Sequence, residues 1–345
     1  MSGTVTWVKR QPRIDSNHSI ERCFDAIESG FNGQLECPFV ITSAVVPFST
    51  NGVWSMIKNC AQALNVRTDL AHVTGDINYV LPFLRSKRRL LTVHDVGHVQ
   101  DPAHSAFKRW LLLLIWFRIP LIFCDTVICV SHQTLERLNH LVPKRSGQRR
   151  LVIPAAIREK SQHALAPRPY ETDKKIVLQI GTAPNKNLSR VWEACEQLGC
   201  HLAIVGHETD EVTALNANRI LSHSIHTNVS DDALEQLYLH CDAVVFVSTH
   251  EGFGMPLIEA QILGKPCVTS AIEPMKSNAG DGALLVNPMD PEAIRAALEQ
   301  LLTNRELSET IVASGYLNAR QFTGVEVARQ HMHVYTEEVE NMESL

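Results

Sequence analysis

The chain has 345 residues, 45% of them hydrophobic and 20% charged. That composition has room for two hydrophobic cores and excludes a fibre, a disordered chain or a single small module. The net charge of -5 hides an asymmetry: residues 1–150 carry 18 Lys+Arg against 11 Asp+Glu, and the remainder 14 against 26. The first half is therefore expected to face something anionic, a membrane surface or a phosphorylated acceptor, or simply to present solvated basic faces; no nucleic-acid partner is expected.

Short apolar, β-branched runs recur along the first half at Thr4–Val8, Phe39–Ser43, Leu70–Val73, Arg89–Val93 and Thr126–Val130, with helical patterns between them. The same rhythm returns at Lys175–Ile180, His201–Val205, Ile220–Leu221, Ala243–Phe246, Pro266–Thr269 and Ala283–Val286. Alternation of this kind predicts two parallel sheets, each covered by helices. The expected boundaries are a domain over 1–157, a polar linker over 158–174 with Pro167 and Pro169, a second domain over 175–324 and a closing helical segment over 325–345. That last segment adds no strand and is expected at the domain junction or as a cap on the second domain.

The run Trp110–Cys124 is the most apolar in the chain, but it is short and interrupted by Arg118 and Pro120. A membrane span needs about 20 apolar residues, so no transmembrane helix is expected. Nine cysteines without a Cys-x-x-Cys pair lie in apolar surroundings, as reduced thiols do. With no secretory pattern at Met1–Val5, a cytoplasmic protein is expected. The basic groups Lys87-Arg88-Arg89, Lys108-Arg109 and Lys144-Arg145, near the apolar Trp110–Trp116 stretch, could rest on the inner face of the cell membrane. A core helix with basic flanks is the alternative.

In the first half, His94 and Asp95 follow the strand Arg89–Val93, at the edge where open α/β sheets bind ligands. His94 is a candidate donor of hydrogen bonds to substrate or an orienter of an acceptor; His98 is a weaker one, and Asp95 is expected to cap the next helix. The stretch Asn17–Arg22 opens the first long helix, where it either borders the acceptor cleft or serves only as a helix cap through Asn17 or Ser19. Ser131 is expected to be an N-cap, since no Gly-x-Ser-x-Gly surrounds it. No Gly-x-Gly-x-x-Gly follows the first strand, which argues against a nicotinamide-dependent oxidoreductase.

The chemistry concentrates after Ala243–Val247. There Glu251-Gly252-Phe253-Gly254-Met255-Pro256-Leu257-Ile258-Glu259 runs from a loop into a helix. The glycines let the backbone approach a ligand, Pro256 suits a first helical turn, and the N–H groups of that turn attract phosphate. Eight positions separate Glu251 from Glu259, so they are expected to hold different ends of one long ligand.

This segment resembles the E-x7-E signature of the retaining, family 4 (group 1) glycosyltransferases. The resemblance implies a GT-B fold, two doubly wound Rossmann-like domains with a cleft between them. It assigns Glu251 to the donor-sugar hydroxyls, the backbone of Gly252, Phe253, Gly254 and Met255, with Pro256 and Leu257 following, to sugar and phosphate, and Glu259 to the ribose. Val177–Leu188 resembles the family's opening strand of the donor domain, which places Gly181, Thr182, Asn185 and Lys186 at the diphosphate, Lys186 neutralising its charge. The family's arginine is Asn185 here, and Arg190 stands one turn on as a replacement. Asn228 and Val229, before the helix that Ser230 caps, are candidates for the nucleotide base. The family's Pro-Glu is absent, Lys276-Ser277 standing at that spacing. His94 falls in the family's T-x-H-D segment, and with Lys186 and Glu251 it makes up the expected catalytic set.

The expected function is transfer of a hexose from a nucleotide diphosphate sugar, with GDP or UDP as the carrier, to a hydroxyl of a glycan or lipid-linked glycan in surface-polysaccharide assembly. No cofactor is expected, and no metal is required where Lys186 and a helix terminus meet the phosphate charge. The alternatives are a nucleotide-sugar epimerase or hydrolase of the same architecture, and a non-catalytic nucleotide-sugar-binding protein.

Overall fold

The computed structural model describes residues 3–11, 19–33, 35–48, 52–100, 104–159, 170, 172–218 and 221–343. Asn17, most of the linker, Ile220 and the side chains of Ser19 and His98 lie outside them. The chain divides into two compact units, Met1–Ala156 with Thr323–Leu345, and Ile157–Phe322.

The first unit is built on a six-stranded sheet of β1 (Thr4–Arg10), β2 (Val40–Val46), β3 (Arg67–Val73), β4 (Arg85–Val93), β5 (Thr126–Cys129) and β6 (Arg149–Val152). The order is β2-β1-β3-β4-β5-β6, and every pairing is parallel. β6 escapes the periodicity reading because it is an edge strand that begins with Arg149 and Arg150, where solvent permits charge. The second sheet holds β7 (Ile176–Ile180), β8 (His201–Val205), β9 (Ser222–His226), β10 (Ala243–Phe246), β11 (Cys267–Ser270) and β12 (Leu284–Val286), in the order β12-β11-β10-β7-β8-β9. The third strand of this unit therefore follows Leu221 instead of ending there. Its Ser-His-Ser-Ile-His sequence gives no apolar run because it too lies at an edge.

The C-terminal helix Gly324–Glu343 packs on the helix Ser19–Gly33 and on β3 and β4 of the first unit, rather than capping the second. Glycines permit the approach, since a Cβ on Gly324 would run into the Ala26 carbonyl. The Tyr335 hydroxyl accepts from Trp7 Nε1 at 3.0 Å and bonds His72 Nδ1 at 2.7 Å. The ring's Nε2 is 2.8 Å from Thr92 Oγ1. Glu338 is fully buried and paired with Arg88 at 2.6 Å, while Thr126 Oγ1 also donates to it. A buried carboxylate held this way ties the end of the chain to its first sheet.

Ser131 and Ser230 cap their helices, accepting from the backbone N–H of Thr134 and Ala233. All nine thiols are free and seven are buried. Among the described residues no helix is long and apolar enough to cross a membrane.

Burial holds two stacked histidines of the first unit neutral, His72 well below the ordinary histidine value and His331 down to about 4. The unfolded chain takes up protons at these positions below about pH 6.5, whereas the folded chain resists until near the lowered values. Stability is therefore present above that window and lost as pH falls through it, by about 1.4 kcal/mol per pH unit for each ring. Urea midpoints measured from about pH 7 to about pH 4.5 should fall, and His331→Phe should flatten the fall.

Candidate donor-binding site

In the second unit the chain runs from β7 outward through β8 and β9 on one side and through β10, β11 and β12 on the other. Strand order thus reverses between β7 and β10, which is where open parallel sheets leave a crevice for a ligand beyond the strands' carboxyl ends. The loops leaving these two strands carry the residues singled out by the sequence.

The loops are stitched together by backbone and amide groups. Thr249 N donates to Asn185 O at 2.8 Å, and Asn185 Nδ2 donates to His250 O at 2.8 Å. Asn187, left-handed at φ 61° and buried, donates through Nδ2 to Val247 O at 3.1 Å and to Pro288 O at 2.6 Å. Asn185 thereby serves as a clamp on the glutamate loop. Arg190, in the first turn of the helix Leu188–Leu198, donates to Asn187 Oδ1 at 2.8 Å.

Lys186 and Glu251 meet at the centre, Nζ to Oε1 at 2.6 Å, with side chains only 15% and 14% exposed. The ammonium lies 4.8 Å from the centre of the Phe246 ring, and Asn185 Nδ2 is 3.3 Å from the same carboxylate oxygen. The lysine stem runs over Gly181, whose φ is 96° and whose added Cβ would stand 2.9 Å from Lys186 Cγ and Cε. Only glycine accommodates both the turn and that close passage. Thr182 is buried, its methyl group against Gly206.

Glu251 and Gly252 are partly exposed, while Phe253 and Leu257 are buried, so the last two can offer a ligand only backbone. Phe253 packs edge-on against Phe322 with ring centres 5.5 Å apart, and its carbonyl accepts from Asn278 Nδ2 at 2.7 Å. Gly254, at φ 93°, precedes the helix Met255–Ile262, and Pro256 sits in its first turn. Glu259 follows on that helix, where its Oε2 accepts from Tyr238 Oη at 2.9 Å. Burial, and then the charge of Glu259, raise Tyr238 well above the ordinary phenol value, which keeps the hydroxyl a donor. Neither Tyr238 nor Asn187 stands out in the sequence as a site residue, because their partners are distant along the chain. Asn228, exposed at φ 51°, and Val229 precede the Ser230 cap, on the loop after β9.

His94 belongs to the first unit. It follows β4 and lines a cavity of about 160 Å³ with Arg10, Gly75, Asp76, Asn78 and Asp95. Here too the sheet reverses, between β1 and β3; Arg10 ends β1 and Gly75 stands just beyond β3. His94 Nε2 is 2.9 Å from Thr74 O, which makes Nε2 the protonated nitrogen and Nδ1 the ring's acceptor. Burial holds its pKa below the ordinary histidine value. Arg10 pairs with Glu21 at 2.7 Å, and Asp76 Oδ1 accepts from Trp116 Nε1 at 2.8 Å. Asp95 Oδ1 accepts from Gly97 N at 2.9 Å, at the start of the short helix Gly97–Gln100.

Gly181→Ala should cost about 1–3 kcal/mol of stability from its left-handed backbone and weaken nucleotide binding by displacing Lys186. Gly264→Ala, at φ 69° with its nearest neighbour at 3.8 Å, is the control. It should lower the melting temperature and leave nucleotide affinity unchanged.

Comparison with known proteins bears on the fold and on the second unit's sequence pattern. Residues 163–317 match the model of the family described as Glycosyl transferases group 1. A stretch of 107 residues is 34% identical to the O-antigen chain mannosyltransferase B of Escherichia coli, covering 31% of this chain and 28% of that one. A stretch of 173 residues is 31% identical to the phosphatidyl-myo-inositol mannosyltransferase of Mycobacterium leprae, covering 47% and 46%. The chain thus spans less than half the length of these curated relatives. Among solved structures, Anabaena Alr3699/HepE in complex with UDP and glucose superposes with a TM-score of 0.74 at 16% identity, over 97% of this chain and all of that one. The chain therefore has the two-domain α/β fold of GT-B glycosyltransferases, and its second unit carries the group 1 glycosyl transferase pattern.

Proposed function

We propose that this chain is a retaining glycosyltransferase that moves a hexose from a nucleotide diphosphate sugar to an acceptor hydroxyl in the assembly of a surface glycan. The observation that carries the reading is the Lys186–Glu251 pair beside the helix that bears Glu259, set where strand order reverses in the second sheet. A compact ammonium, a nearby helix N-terminus and two separated carboxylates match the chemistry of a diphosphate flanked by two polyhydroxyl groups. The O-antigen mannosyltransferase relative supports a glycan product, and the neighbour solved with UDP and glucose supports a nucleotide sugar.

In this reading the donor diphosphate draws Lys186 from Glu251, which turns to the sugar hydroxyls, while Glu259, oriented by Tyr238, holds the ribose. The backbone at Gly252–Met255 faces sugar and phosphate. As charge develops on the leaving diphosphate, Lys186 and the helix terminus stabilise it without a metal. The leaving phosphate oxygen takes the acceptor proton on the same face of the sugar, so the anomeric configuration is kept and no carboxylate acts as nucleophile. The acceptor lies on the first unit's side, where neutral His94 presents Nδ1 to a hydroxyl. The reaction is placed in the cytoplasm.

Incubation with a panel of nucleotide sugars and glycan acceptors tests the reading, with the product anomer determined by NMR. The expected product keeps the donor's configuration. Glu251→Ala should lower kcat by about 100-fold with little change in donor KM, and Glu259→Ala should raise donor KM by about 10- to 100-fold. An inverted product, free sugar released without acceptor, or equal effects of both variants on nucleoside diphosphate affinity would overturn it.

A further inference from the structure

The first unit exposes apolar side chains where its sequence lacks acid. Of the eighteen exposed large apolar residues among those described, eleven belong to the helix Val53–Ala63, the turn Asn78–Phe83, the helical stretch 106–122 or the residue just after one of them. The three elements lie side by side, the turn packing against both helices, and they share one core beneath them. The outward side chains include Val53 and Trp54, 71% and 77% exposed, and Phe107, Trp110 and Ile122, at 71%, 50% and 60%. The inward side of the long helical stretch is filled by Phe117 and Leu121, both buried.

Charge decides what such a face can cover. Segments 37–68, 77–94 and 102–124 contain nine Lys and Arg and no Asp or Glu. Not all of these bases face outward: Arg88 is committed to Glu338 and Asp125 and Arg89 to the Leu84 carbonyl, while Lys87 stays exposed in a surface ion pair with Asp69. The expected Lys87-Arg88-Arg89 patch is therefore mostly spent inside the unit. Lys58, Lys108 and Arg118 remain exposed among the apolar residues. Two copies meeting through this face would set like charges against each other. Indole rings beside basic side chains, with an apolar layer no deeper than one helix face, match instead the boundary between acyl chains and anionic headgroups.

We propose that this face is a peripheral docking surface for an anionic lipid bilayer, with Trp54, Phe107, Trp110 and Ile122 entering the headgroup boundary and Lys58, Lys108 and Arg118 bound to lipid phosphates. The helical stretch 106–122 lies along the membrane instead of crossing it. The inference is independent of the transfer reaction, and its test requires no substrate.

The experiment is flotation of the full chain with vesicles of phosphatidylcholine alone or with about 30% phosphatidylglycerol, at about 0.1 M and about 0.5 M salt, some carrying brominated acyl chains. Binding is expected to the anionic vesicles at low salt only, with quenching of tryptophan fluorescence by the brominated lipid. Trp54→Phe with Trp110→Phe should keep binding and lose most of the quenching, because Trp7 and Trp192 are fully buried and Trp116 is turned inward, its ring against Tyr79 and its Nε1 on Asp76. Trp110→Ser with Ile122→Ser, and separately Lys58→Gln with Lys108→Gln and Arg118→Gln, should each weaken partitioning by about tenfold or more. Circular dichroism identifies any variant that fails to fold, for which the tryptophan-to-phenylalanine pair supplies the readout. Absence of binding to anionic vesicles, binding without quenching, or self-association lost in the serine variant would overturn the proposal. So would binding to a soluble acidic protein with none to vesicles.

Discussion

The ion pair between Lys186 and Glu251 is the constraint around which the second unit is arranged. Two long charged side chains are removed from most of their solvent, at a desolvation cost that each offsets for the other. They stay in register because the loops that carry them leave adjacent parallel strands and are bound to each other at Asn185, Asn187 and Thr249. Gly181 makes room for the lysine stem and Gly254 starts the next helix in the left-handed region. The strand reversal creates the crevice, and these local devices place its charges.

The pair also bears on the proposed chemistry. A lysine fixed by a carboxylate is already positioned and partly desolvated when a diphosphate arrives, so little reorganisation is needed as negative charge grows on the leaving group. Glu259 is fixed by a different neighbour, the buried Tyr238 hydroxyl. The two carboxylates therefore respond to separate parts of a ligand. The first unit repeats the design with other residues, since its reversal point carries a polar cavity in which burial keeps His94 neutral.

Much of this was legible because it rests on local patterns. Central strands such as Ala243–Phe246 are continuous apolar runs, and the glycines and proline of 251–259 mark a strand-to-helix turn in any context. Two of the edge strands were not: Arg149–Val152 and Ser222–His226 carry arginine or histidine, which period-based reading assigns to loops, whereas the apolar edges Val40–Val46 and Leu284–Val286 were. Partnerships across the chain were hidden too. Tyr238 with Glu259, Trp7 with Tyr335, and Arg88 with Glu338 are set by which strands become neighbours, a property no window of sequence contains. Asn185 is instructive in another way, since a departure from the family pattern proves to be a clamp on the glutamate loop. The basic triplet at 87–89 misleads for the converse reason, Arg88 being drawn inward by Glu338, far along the chain, and Arg89 by the Leu84 carbonyl.

The central claim is that Lys186 sits at the diphosphate of a nucleotide sugar. Titration calorimetry of UDP-, GDP-, ADP- and dTDP-sugars, the matching nucleoside diphosphates and the bare nucleosides, with wild type and Lys186→Ala, tests it most directly. The account predicts that one base is selected, and that the variant loses about 10- to 100-fold in affinity for diphosphate and sugar donor alike while nucleoside binding stays unchanged. A folded wild type that binds none of them, or a variant that binds the diphosphate as tightly as wild type, would contradict it.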